Sequence, residues 1–118
     1  MRNTRNRSIG IVLSVVALVT ALAWAGDQPP ASDAKTAQVT IENFTFKPAT
    51  ITVPVGTTVT WTNRDDMPHT VVAEDRSFRS NALDTDETFS HTFNSAGTFV
   101  YFCSIHTSMV GKVIVETR

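Results

Sequence analysis

The segment Cys103-Ser104-Ile105-His106-Thr107-Ser108-Met109 sets a thiol, an imidazole and a thioether at Cys-x2-His-x2-Met spacing. One strand pattern ends at Cys103 and another begins at Val110. A tight loop between neighbouring strands can aim three side chains at one point. A fourth donor must come from elsewhere, and His69 is the best candidate, directly after the loop Arg64 to Pro68. One thiolate, two imidazoles and a thioether are soft ligands that suit copper in both oxidation states. Zinc seldom recruits methionine. Iron–sulfur clusters need more than the single cysteine present. Calcium and magnesium want oxygen. Two histidines and a cysteine with a weak axial methionine describe a blue-copper electron-transfer site. Four protein ligands leave no open position for a substrate. Three histidines in all cannot build additional copper centres, and no nucleophile–base pair is evident. The expected chemistry is thus one-electron transfer rather than catalysis.

Such loops need strands to hold them. From Ala37 onward apolar residues recur at every second position, with β-branched and aromatic types dominant and no convincing helix. Gln38 to Phe46 is a first run whose apolar phase changes between Ile41 and Phe44, which predicts a bulge near Asn43. Further strands are expected at Thr50 to Val53, Thr57 to Asn63, His69 to Ala73, Glu87 to Phe93, Thr98 to Cys103 and Val110 to Glu116. Residues 74–86 read as an irregular connection with Phe78 and Leu83 as plugs. About seven or eight short strands separated by turns predict an all-β sandwich or small barrel. In a sandwich, loops from distant strands gather at one end, so His69 and the Cys103 loop can share a pole.

Other chemistry-bearing residues have plainer expectations. His91 alternates with Phe89 and Phe93 on one strand face and is expected to be structural. Met67, the competing methionine, is expected at the surface near the site. Trp61, Phe44, Phe46, Phe93, Phe99 and Tyr101 are expected to pack in the core or on strand faces. Asp84, Asp86 and Glu87 read as a solvated loop.

The 118 residues admit one domain. Residues 1–25 read as an export signal. Arg2, Arg5 and Arg7 precede the apolar run Ile9 to Leu22, and Ala23-Trp24-Ala25 offers small residues for cleavage before Gly26. The alternative is an uncleaved membrane anchor, at the short limit for a span. Residues 26–37, with Pro29-Pro30, read as a polar tether, and residues 38–118 as the metal-binding domain. Removal of the signal leaves 7 basic against the 11 acidic residues, a balance that disfavours nucleic acid as a partner. An exported chain with one cysteine has no internal disulfide, and a metal would occupy the lone thiol.

The segments Met67-Pro68-His69-Thr70-Val71 and Ala96-Gly97-Thr98, together with the Cys-x2-His-x2-Met loop, resemble the cupredoxins, the small blue copper proteins. The short loop is closest to the amicyanin branch; plastocyanins and pseudoazurins have a longer gap before the methionine. The resemblance spans residues 38 to 116. It implies an eight-stranded Greek-key sandwich, with His69, Cys103 and His106 as the strong trigonal ligands of one copper ion and Met109 as the axial one. In the family the residue after the first histidine is often Asn, which helps fasten the two ligand loops. Here it is Thr70, a departure from that pattern, although a threonine hydroxyl could make a similar bond. The implied function is a monomeric electron carrier in the periplasm or another exported compartment. The expected partners are transient redox proteins such as a cytochrome or a dehydrogenase, those of the amicyanin branch not being carried over. From the loop itself, His106 is the candidate electron port, with Met67, Pro68, Ile105 and Thr107 as an apolar docking collar. The alternative function is a copper-trafficking protein that carries the ion rather than the electron.

Overall fold

A computed structural model describes residues 35–117, so the expected signal, and the tether up to residue 34, lie outside the described residues. Eight strands follow in order: β1 (Thr36–Glu42), β2 (Thr45–Lys47), β3 (Thr50–Pro54), β4 (Thr57–Asn63), β5 (Val72–Ala73), β6 (Thr88–Phe93), β7 (Gly97–Phe102) and β8 (Val110–Glu116). They form two four-stranded sheets, ordered β2-β1-β4-β6 and β3-β8-β7-β5. The β1–β4 and β3–β8 pairs are parallel and the others antiparallel. After β2 the chain changes sheet at nearly every connection, and the inner faces of both sheets close on one core. This is the expected all-β sandwich.

Period-two alternation explains the strands. In β4 every second residue, Thr57, Val59, Trp61 and Asn63, is buried. Trp61 is fully buried, flanked by Tyr101 at a ring-centroid distance of 5.3 Å and by Phe78 and Phe89 at 5.7 Å each. Val39, Ile41 and Phe46 from the first sheet meet Val53, Tyr101, Val113 and Val115 from the second. Each such side chain contributes about 1.5–3 kcal/mol of burial free energy. The Tyr101 ring lies directly over Gly111, where an added Cβ would come within 2.3 Å of it. Only glycine admits the ring at that point of the β7–β8 pair. Phe78 and Leu83 are buried plugs, as expected.

The structure corrects three expectations. The phase change near Asn43 is a hairpin rather than a bulge: Glu42 pairs with Thr45, and Asn43 and Phe44 turn with φ of 53° and 56°. Positive φ at both central residues makes a type I′ turn, whose twist matches that of the flanking strands. Phe44 consequently leaves the core and stands 48% exposed. The strand expected over His69 to Ala73 shrinks to Val72–Ala73, because the backbone of its first residues pairs with the irregular segment instead. His69 exchanges two hydrogen bonds with Leu83, at 3.1 and 2.7 Å, and Ser80 N–H donates to the Val71 carbonyl at 2.8 Å.

Candidate metal centre

Cys103 is the first residue beyond β7, and the loop that follows closes on itself. Cys103 N–H donates to the Met109 carbonyl at 3.1 Å, and Met109 N–H donates to the His106 carbonyl at 2.9 Å. Between these bonds His106 is carried back over the sulfur, its Nδ1 at 3.8 Å from Cys103 Sγ. His69 arrives from the other side, held by its two-bond bridge to Leu83, with Nδ1 at 3.9 Å from Sγ. His69 and Cys103 are fully buried and His106 half-buried. The three donor atoms all lie within 4.8 Å of one another. Ligands about 2.0–2.3 Å from a shared metal sit about 3.5–4 Å apart in a trigonal set, so the sulfur-to-nitrogen spacings are those of atoms facing one ion. Three of the four expected ligands are thus brought together. The fourth, Met109, is buried where the loop enters β8.

The hydrogen bonds around the site fix which atoms face inward. His69 Nε2–H donates to Asp65 Oδ2 at 2.8 Å, which leaves the Nδ1 lone pair free to point at the sulfur. Asp65 is itself gripped. Its carboxylate accepts Asn43 N–H at 2.7 Å and Phe44 N–H at 2.9 Å, the two donors of the left-handed turn. Burial alone would push this carboxyl up, but the N–H groups of Phe44 and Asn43, together with His69, hold it below its ordinary value. Burial would likewise raise the Cys103 thiol. Hydrogen bonding from Thr70 N–H, His69 and the backbone of His106 and Ile105 outweighs it, and the group is brought down to about 6. A thiol held there is a thiolate near neutral pH, the form that ligates metals.

Thr70, directly after His69, fastens the two ligand loops. Its Oγ1 accepts Ser104 N–H at 2.7 Å and lies 2.8 Å from Ser104 Oγ. Three site residues escaped the sequence reading. Asp65 gave no signal beyond its place in the loop before His69. Asn63 was legible as a polar residue on the buried face of β4; its Nδ2 donates to the Met67 and Leu83 carbonyls at 2.8 Å each, and its Oδ1 accepts Asp65 N–H at 2.9 Å. Phe44, expected to pack in the core or on a strand face, stands with its ring edge-on to both His69 and His106, at centroid distances of 5.1 and 5.0 Å. His91 is structural as expected, stacked on Phe78 at 4.7 Å and standing apart from the His69–Cys103–His106 group.

A two-sheet β-sandwich carrying a buried Cys–His–His group between two end loops defines a mononuclear metal protein whose donor set fits one copper ion. Residues 14–115 match the cupredoxin-like domain family, and the chain belongs to that family. It is 42% identical to amicyanin from Paracoccus versutus over 84 residues, covering 66% of this chain. The chain spans 63% of that relative's length. A purple cupredoxin from Nitrosopumilus maritimus superposes with a TM-score of 0.65 at 36% identity, covering 68% of this chain and 99% of that one. A Cu(I) mutant of amicyanin superposes with a TM-score of 0.64 at 36% identity, covering 69% and 82% of the two chains.

Proposed function

We propose that this protein is an exported type 1 copper protein that carries single electrons between transient redox partners and catalyses no reaction of its own. The observation that carries the reading is the clustering of the His69, Cys103 and His106 donor atoms, with His69 and Cys103 buried and Cys103 held toward the thiolate. A copper ion held by His69, Cys103 and His106 would supply the one-electron redox change, between Cu(I) and Cu(II). The chain supplies rigidity: the Leu83 bridge, the Asp65 and Asn63 hydrogen bonds and the Cys103–Met109 closure hold the donors so that little has to move when an electron passes. Met109, buried at the end of the ligand loop, would supply the fourth, thioether ligand. Residues 1–25 direct export and are removed, and residues 38–118 are the working domain.

His106 is the electron port, since it alone of the three clustered ligands reaches the surface. Met67 and Ile105, 49% and 50% exposed, join Pro68, Thr107 and the exposed Phe44 in an apolar collar around it. A small apolar collar suits brief redox encounters. Ile105→Glu would slow transfer to a partner and leave the colour intact.

The first experiment is the visible spectrum of residues 26–118 with one equivalent of Cu(II). An intense blue charge-transfer band, lost on reduction and in Cys103→Ala, is expected. A pale solution with weakly held copper would overturn the electron carrier in favour of copper trafficking.

A further inference from the structure

Thr70 does more than fasten loops. Its backbone N–H donates to Cys103 Sγ at 3.4 Å, a bond that any residue except proline would make at this position. Its hydroxyl also faces the sulfur, with Oγ1 at 3.7 Å from Sγ, both groups being buried. Sulfur's larger radius makes that a hydrogen-bonding distance. The hydroxyl has one proton and two lone pairs to place. One lone pair takes Ser104 N–H at 2.7 Å. The proton has two possible acceptors, Ser104 Oγ at 2.8 Å and the sulfur.

Counting partners decides between them. With the Thr70 proton on Ser104 Oγ, the sulfur receives nothing from this side chain. With Ser104 O–H donating to the second lone pair of Thr70 Oγ1, the Thr70 proton goes to Sγ and every bond is made. Ser104 is exposed, so water satisfies its own oxygen. The second arrangement also ends on an anionic acceptor, and bonds to charged groups are the stronger ones. Chained hydroxyls polarise one another in the same direction.

We infer that Ser104 and Thr70 form a hydroxyl relay that donates to the Cys103 thiolate and raises the reduction potential of the bound metal. The inference rests on the copper reading above. Its sign follows from charge. Covalent donation to Cu(II) drains negative charge from sulfur, whereas beside Cu(I) the sulfur keeps more of it. A donor aimed at sulfur therefore stabilises the reduced state more. Thr70 acts through Cys103 and is a positioning residue; the hydrogen bonding around this sulfur is one of the levers that set the potential.

The test uses the copper-loaded protein, with voltammetry for the potential and resonance Raman in H2O and D2O for the copper–sulfur vibration. Thr70→Val keeps the shape and the backbone N–H but loses the hydroxyl. The expected result is a blue protein whose Cu(I) preference falls about tenfold, a downward shift of about 59 mV, with a reduced deuterium effect. Thr70→Ser restores both readings, and Ser104→Ala shifts the potential by less than Thr70→Val does. An unchanged potential and deuterium effect in a blue Thr70→Val protein would overturn the relay and leave the copper site standing. Loss of the blue band from the wild-type protein would sink the copper reading itself. If Thr70→Val fails to fold, Thr70→Ser against Ser104→Ala carries the test, and equal potentials below wild type in both would reject the relay.

Discussion

At the scale of single residues, the centre depends on groups that never touch the metal. Asp65 is the clearest case. It is buried, it caps two left-handed turn residues, and it sets the His69 tautomer through a 2.8 Å bond to Nε2. An Asn in its place keeps one acceptor oxygen and nearly the same shape. It has no charge to hold the imidazole and must aim an amide N–H at donors that need acceptors. Outer-shell partners of metal-bound histidines typically contribute about 10–100-fold to metal affinity. Asp65→Asn is therefore expected to weaken copper binding by about that factor, read by competition with a chelator of known affinity. Unaltered affinity would show that the Leu83 bridge alone orients His69.

At the scale of elements, most of the sandwich was legible because alternation and burial coincide. β4 and β8 begin and end where the pattern says, and Trp61 sits where two apolar faces converge. What was not legible depends on contacts between segments apart in sequence. The Asn43–Phe44 turn hid inside an apolar run because a large aromatic seldom adopts positive φ, and only the Asp65 carboxylate, distant in sequence, makes that conformation worthwhile. The strand expected from His69 falls short because its residues are apolar but their backbone partners lie in the irregular segment 78–83. Cys103, His106 and His69 were readable from type and spacing, whereas Asp65 and the Thr70–Ser104 pair act through contacts that no spacing records. β6 adds a testable pH effect. His91 packs between Phe78 and Phe93, and burial holds its imidazole below its ordinary value near 6.5, with Asp75 opposing. The unfolded chain then binds more protons, so stability falls as pH drops from about 6.5 toward the folded value and levels off below it. His91→Gln in the metal-free protein is expected to flatten that part of the denaturation profile between pH 7 and 5. The change is modest, because the ring is only half-buried. A profile parallel to wild type would reject the coupling.

At the scale of the whole molecule, the ligand loops link both sheets. His69 leads into β5 and Cys103 leaves β7, both in the second sheet, while Asp65 carries the connection to the β1–β2 turn of the first. An ion held by His69, Cys103 and His106 would therefore add a cross-link between the loops that flank the paired strands β5 and β7. Unfolding scatters the donors, so copper binds the folded state and stabilises it by mass action. Free copper at a thousand times the dissociation constant contributes about 4.1 kcal/mol. A domain of this size gains about 4–8 °C in Tm for each kcal/mol, so loading is expected to raise the melting temperature by roughly 15 °C or more. Calorimetry of the metal-free and copper-loaded forms checks this. Cys103→Ala should lose most of the increment, because two imidazoles and a thioether bind far more weakly than a thiolate set. Ile105→Glu should keep it, because Ile105 is exposed and is not one of the clustered donors. If both variants kept the full increment, the copper responsible would be bound somewhere other than this centre.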